Sequence, residues 1–124
     1  MSTESQPVAG VLLSRDLFFA SKVTGTAAAL GLRIVMEGDP QRAAARAAEP
    51  QCRCLIVDLG LPGLLLADLI AVLPADRLPR IIAFDAHVNE SRLEAARIAG
   101  CDAVYTRGQF SANLPSILQG GLAG

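Results

Sequence analysis

The chain has 124 residues, 52% of them hydrophobic and 19% charged, which is long enough for one buried core, too short for two, and too apolar for a disordered segment. Its formal net charge is −1 and its eleven basic residues are scattered, so the basic patch that phosphate backbones demand is missing and no nucleic-acid partner is expected. No apolar run approaches the roughly 20 residues that cross a bilayer, and the polar start from Met1 to Gln6 does not read as a secretory signal; the expectation is a cytoplasmic protein with no membrane contact.

Short apolar runs alternate with helical patterns along the chain. Val8 to Ser14 reads as a first strand. A helix follows with Phe19, Val23, Ala27 and Leu30 on one stripe and Gly31 placed to end it. Leu32 to Met36 reads as a second strand, after which Asp39-Pro40 supplies an N-cap and a first-turn proline for an alanine-rich helix that Glu49-Pro50 stops. Cys52 to Asp58 is the third strand, apolar enough at Leu55-Ile56-Val57 to be buried on both faces. A Gly/Pro turn from Leu59 to Gly63 leads into a third helix, Leu64 to Leu73.

Arg80 to Phe84 reads as the fourth strand. Ser91 with Glu94 has the spacing of a capping box for a fourth helix, closed by Gly100. Asp102 to Thr106 is the fifth strand, and a short final helix starts near Asn113 with Pro115 in its first turn. Five strands interleaved with five helices predict a doubly wound α/β domain covering residues 1–124, flavodoxin-like, with parallel strand order 2-1-3-4-5 and helices on both faces. The ends, 1–6 and 120–124, are expected to be flexible.

That architecture places functional groups at the carboxyl ends of the strands, where the sequence puts Arg15, Asp16, Asp58, Asp85 and Arg107. Three acids and two arginines there sum to −1, a set able to satisfy itself by pairing. The expected arrangement has Arg15 or Arg107 bridging Asp58 to Asp16 or Asp85, because isolated buried charges are costly. Cys52, Cys54 and Cys101 are an odd set without metal spacing; Cys52 and Cys54 would share a face of a strand, and all three read as small buried hydrophobes. His87, the sole histidine, reads as a loop residue with no second ligand beside it.

The same segments resemble the receiver domains of bacterial two-component response regulators. Val11-Leu12-Leu13-Ser14-Arg15-Asp16 stands where that family has a strand ending in two acids. Leu55-Ile56-Val57-Asp58-Leu59-Gly60-Leu61-Pro62-Gly63 is similar to the phosphoacceptor segment, Ile81-Ile82-Ala83-Phe84-Asp85-Ala86 to the fourth strand, and Gly100-Cys101-Asp102-Ala103-Val104-Tyr105-Thr106-Arg107 to the segment around strand five. The resemblance implies a phosphoacceptor at Asp58, Mg²⁺ held by Asp16 and Asp58, and a signalling partner such as a histidine kinase.

Departures from the family's pattern are concentrated in the site. Arg15 replaces the first acid, so Mg²⁺ is expected to bind weakly or not at all. Asp85 replaces a hydroxyl and would repel a phosphorylated Asp58. Arg107 replaces a lysine with a planar fork. Val104 stands at the switch-aromatic position, with Tyr105 on the other side of the sheet. Gly108 replaces the proline that follows the lysine, and Leu66 replaces a glycine at the start of helix three.

The resulting expectation is a receiver-like interaction module, a pseudo-receiver and not an enzyme, that works through protein contacts without a phosphorylation switch. One alternative is a stand-alone response regulator that accepts phosphate on Asp58 from a histidine kinase. Another is a nucleotide or flavin binder on the same fold, which would need a phosphate-cradling loop after strand one in place of Ser14-Arg15-Asp16. The third helix is apolar nearly all round. Leu65, Leu66, Leu69, Ile70 and Leu73 are expected to cover the sheet, leaving Leu64, Ala71 and Val72 outward for a homodimer or another protein partner.

Overall fold

A computed structural model describes residues 6–122. The elements in chain order are β1 (Gly10–Leu13), α1 (Leu17–Ala29), β2 (Ile34–Glu37), α2 (Pro40–Ala47), β3 (Cys54–Asp58), α3 (Leu66–Ala71), β4 (Arg80–Asp85), α4 (Glu90–Ile98), β5 (Ala103–Thr106), α5 (Arg107–Ala112) and α6 (Leu114–Leu122). All strand pairs are parallel, in the order β2-β1-β3-β4-β5. This is the flavodoxin-like arrangement expected from the sequence.

Burial explains the composition of each strand. β1 and β3 are buried at every residue and β4 at every residue after Arg80, whereas the edge strands β2 and β5 are mostly half-buried. Alternation along the central strands splits the core in two. Val11, Leu13, Leu55, Val57, Ile81 and Ala83 pack with α2, α3 and α4 in an aliphatic core. Leu12, Ile56, Ile82 and Phe84 pack with α1, α5 and α6 around Phe19 and Phe110. At about 25 cal/mol per Å² of apolar surface buried, such two-sided burial is the main force holding the sheet.

Asp16 caps α1 by accepting from the Phe19 backbone N–H, and Asp39 caps α2 by accepting from that of Arg42, with Pro40 as the first helical residue. Gly31 and Gly100 take φ of 76° and 101° where α1 and α4 end, a backbone region in which any other residue would be strained.

Several boundaries differ from the sequence reading. α3 starts at Leu66 because Leu65 is still extended (φ −114°, ψ 90°); Leu66, Leu69, Ile70 and Leu73 face the core as expected, and only the first position of the stripe changes. Leu65 is exposed, while Leu64 packs on the aliphatic core. The Ser91–Glu94 capping box does not form: Ser91 lies inside α4, whose cap residue Asn89 turns its side chain to Asp85 instead. A sixth helix, α5, precedes the anticipated last one. It opens on a true capping box in which the Thr106 hydroxyl accepts from the Gln109 N–H and the Gln109 side chain accepts from the Thr106 N–H.

Cys52 precedes β3 instead of lying in it, so it joins the aliphatic core while Cys54 joins the opposite one; the two thiols do not share a face. Gly120 and Gly121 continue α6. Gly121 is buried against the sheet, where an added Cβ would lie 3.2 Å from Ile82 Cδ1 and 3.4 Å from Cys54 Sγ. The remaining residues expected to be flexible, 1–5 and 123–124, lie outside the described residues.

Candidate functional site

The carboxyl ends of β1, β3, β4 and β5 meet at one edge of the sheet. Parallel register sets Asp58 level with Phe84, and Asp85 level with Thr106. Both Asp58 and Asp85 are buried, at 6% and 4% exposure, so each needs its oxygens satisfied locally.

Asp58 is held from three sides. Its Oδ2 accepts from the Ser14 hydroxyl at 2.8 Å and its Oδ1 accepts from the Gly60 N–H at 3.0 Å. The Arg107 guanidinium lies 3.7 Å from Oδ2 through Nη2 and, through Nη1, donates to Asp16 Oδ2 at 3.1 Å. Of the bridges anticipated, the structure therefore contains the one from Asp58 through Arg107 to Asp16. A Cβ at Gly60 would come within 3.2 Å of Asp58 Oδ1, so a side chain there would press on the carboxylate.

Arg107 is placed by two features. It is the first residue of α5, fixed by the Thr106–Gln109 box, and its guanidinium carbon sits 4.7 Å from the Phe19 ring centroid and 5.3 Å from that of Phe84. Those rings offer a π face to the cation and a low-dielectric floor that strengthens its pull on the carboxylates. Asp16 has a lowered pKa, chiefly because its carboxylate accepts from the Phe19 N–H and further because of Arg107.

Arg15 takes no part in this bridge. It is exposed, and its Nε donates to the Gly38 carbonyl at 3.1 Å. Asp85 does not join the Arg107 bridge either. Its Oδ1 accepts from the Ala86 N–H at 2.8 Å, Asn89 Nδ2 at 2.9 Å and Arg92 Nη2 at 3.2 Å, and its Oδ2 accepts from Arg92 Nε at 2.7 Å. A bidentate guanidinium, the strong form of the ion pair, thus neutralises Asp85 from the first turns of α4.

Val104 is half-buried against the aliphatic core, and Tyr105 packs on the other side, its ring 6.2 Å from Phe110. His87 is exposed in the loop after β4. The three cysteines are free thiols, raised by burial to about 12 at Cys54 and about 11 at Cys101, and raised also at Cys52. Among the described residues, no group of three or more His, Cys, Asp or Glu is placed to hold a metal ion, and no helix is long and apolar enough to cross a membrane.

Ser14, Asn89 and Arg92 were not anticipated as site residues. Ser14 had a legible signal, a hydroxyl one residue beyond a fully buried strand. Arg92 had none, being one of several arginines on an exposed helix.

No protein-family model matches the sequence, and no curated protein matches it. Solved structures do match the fold. The signal receiver domain of a response regulator from Bermanella marisrubri gives a TM-score of 0.78 at 15% identity, over 93% of this chain and 97% of that one. The chemotaxis response regulator CheY4 of Vibrio cholerae gives 0.74 at 18% identity, over 93% and 99%. NtrX from Brucella abortus gives 0.74 at 17% identity, covering 92% of this chain and 26% of NtrX, so the chain spans about a quarter of that protein. The chain has the receiver fold of response regulators.

Proposed function

We propose that this chain is a receiver-like signalling module that works through protein contacts, with Arg107 as the resident cation of its pocket and with phosphorylation of Asp58 impaired or absent. One observation carries the reading: the Arg107 guanidinium lies between Asp16 and Asp58, at 3.1 and 3.7 Å. Those two carboxylates are the ones a Mg²⁺ ion would need, and both face a fixed positive charge. The residues present do not fit the metal, because a divalent ion entering beside the guanidinium would meet charge repulsion and occupied oxygens.

The rest of the edge supports the same reading. Both oxygens of Asp58 already accept hydrogen bonds and the residue is buried, so little of the carboxylate is open to a phosphoryl donor. Asp85, buried at the end of the neighbouring strand, presents a carboxylate and not a hydroxyl there. The module is not an enzyme on this view. Its partners are signalling proteins, and a reducing cytoplasm suits its three free thiols.

Titration of the full chain with beryllofluoride and Mg²⁺, followed through amide shifts around Asp58, tests the proposal. The folded protein is expected to give no Mg²⁺-dependent response. A saturable response that disappears in Asp58→Asn would instead assign a phosphoacceptor served by a histidine kinase.

A further inference from the structure

A cavity lies away from the acidic edge. It occupies about 460 Å³ between α2 and α3, with Ala44 and Leu69 in its lining, Leu65 and Val72 along it, and Asp39 and Asp68 as its charged groups. That size lies within the range of natural binding pockets, about 300–1,000 Å³.

Three features make this groove unlike an ordinary patch of surface. Leu65, immediately before α3, and Val72, immediately after it, flank Leu69 and form an apolar stripe with it. Leu69 is buried, whereas Leu65 and Val72 are 66% and 68% exposed, so the stripe runs from the core out into the groove and is left half-covered. The charge is also one-sided. The lining has two carboxylates and no cation, and among the described residues neither Asp39 nor Asp68 joins a salt bridge. Finally, α3 is a helix of only six residues that α2 flanks on one side, so the space between them stays open.

We infer that the α2–α3 groove receives an amphipathic helix of a partner protein, one that inserts aliphatic side chains between Leu65 and Val72 and carries lysine or arginine beside them. Helix-in-groove recognition reads aliphatic anchors one helical turn apart, and the two carboxylates select the charge that flanks them. A second copy of this chain fits less well. A two-fold axis through the groove would bring carboxylates against carboxylates, with no cation in the lining to meet them. The inference rests on the reading of the chain as an interaction module and names the surface and chemistry of its partner.

The test uses the full chain and a synthetic leucine–lysine helix of about 14 residues, close to four turns, with a leucine–glutamate helix as control. Amide shifts clustered on Ala44, Leu65, Leu69 and Val72 are expected with the lysine helix and not with the glutamate helix. Added salt should weaken the binding. Val72→Ser and Asp68→Asn, both at exposed positions, should keep the fold, and each should weaken binding several-fold, up to about tenfold.

Shifts elsewhere, equal response to both helices, or binding untouched by either substitution would overturn the inference. So would a concentration-dependent dimer that Val72→Ser converts to monomer, which would assign the groove to a second copy. The beryllofluoride titration reads Asp58 and not this groove, so failure of one proposal is distinguishable from failure of the other.

Discussion

Two buried carboxylates end neighbouring strands of the same sheet, and the chain neutralises them in opposite ways. Asp85 takes its cation from Arg92, seven residues on, and adds Asn89 and the Ala86 N–H, so its whole environment comes from one strand–helix turn. Asp58 takes Ser14 from β1's end and Arg107 from α5, and Arg107 reaches on to Asp16, 91 residues away in sequence. The first arrangement fixes a loop; the second fixes the relation between distant parts of the fold. Each half of this edge is thus held by an arginine of its own.

Removing one cation from each half would break that comparison most directly. Arg107→Ala should cost the most, about 2–3 kcal/mol, since it leaves the buried Asp58 without its countercharge and strips a cation from two aromatic faces; the figure is discounted below that of a fully buried pair because Arg107 is 39% exposed. Urea unfolding would measure it. Placing Asp58→Asn in the same chain should recover part of the loss, and millimolar Mg²⁺ should stabilise the Arg107→Ala protein but not the parent.

Arg92→Ala should cost less, about 1 kcal/mol, because Asp85 keeps the Ala86 and Asn89 bonds and the departing arginine is itself half-exposed. Combined with Arg107→Ala, the two losses should add to within about 0.5 kcal/mol. A larger coupling energy in that double-mutant cycle would mean that the two halves form one network, and the contrast between them would fall.

The smallest effect concerns acid. The Asp16 pKa is lowered in the fold, so its contribution is present in full above the ordinary carboxylate value near 3.8 and fades as pH falls through the lowered value. Asp16→Asn keeps a capping side chain but not the charge. Its stability deficit in urea should therefore be visible at neutral pH and vanish in strong acid; a deficit independent of pH would show that the Arg107 contact adds nothing to the cap.

Much of this organisation is legible in the amino-acid sequence. The strand order follows from alternating apolar runs and short connections, and Asp16 and Asp39 announce their helices by type and position. The pairing of Asp58 with an arginine followed from charge balance alone, but the choice of Arg107 over Arg15 did not, because it depends on Phe19 and Phe84 forming a floor for one guanidinium and on Gly38 offering a carbonyl to the other. α5 was missed although Thr106 and Gln109 had capping-box spacing, because Gly108, a poor helix former, reads as part of a loop after the fifth strand. The Leu64–Leu65 exchange has a similar origin. A helical stripe can be read only from where the helix begins, and the extended backbone at Leu65 moved that point by two residues.

The 91-residue span of the Arg107–Asp16 contact also has a temporal side. Closing so long a loop costs chain entropy, so this ion pair is expected to form late in folding, after β1, β3 and β4 have paired. Arg107→Ala should then raise the unfolding rate far more than it slows refolding. Arg107 would thus be, kinetically, the bolt drawn last and released first.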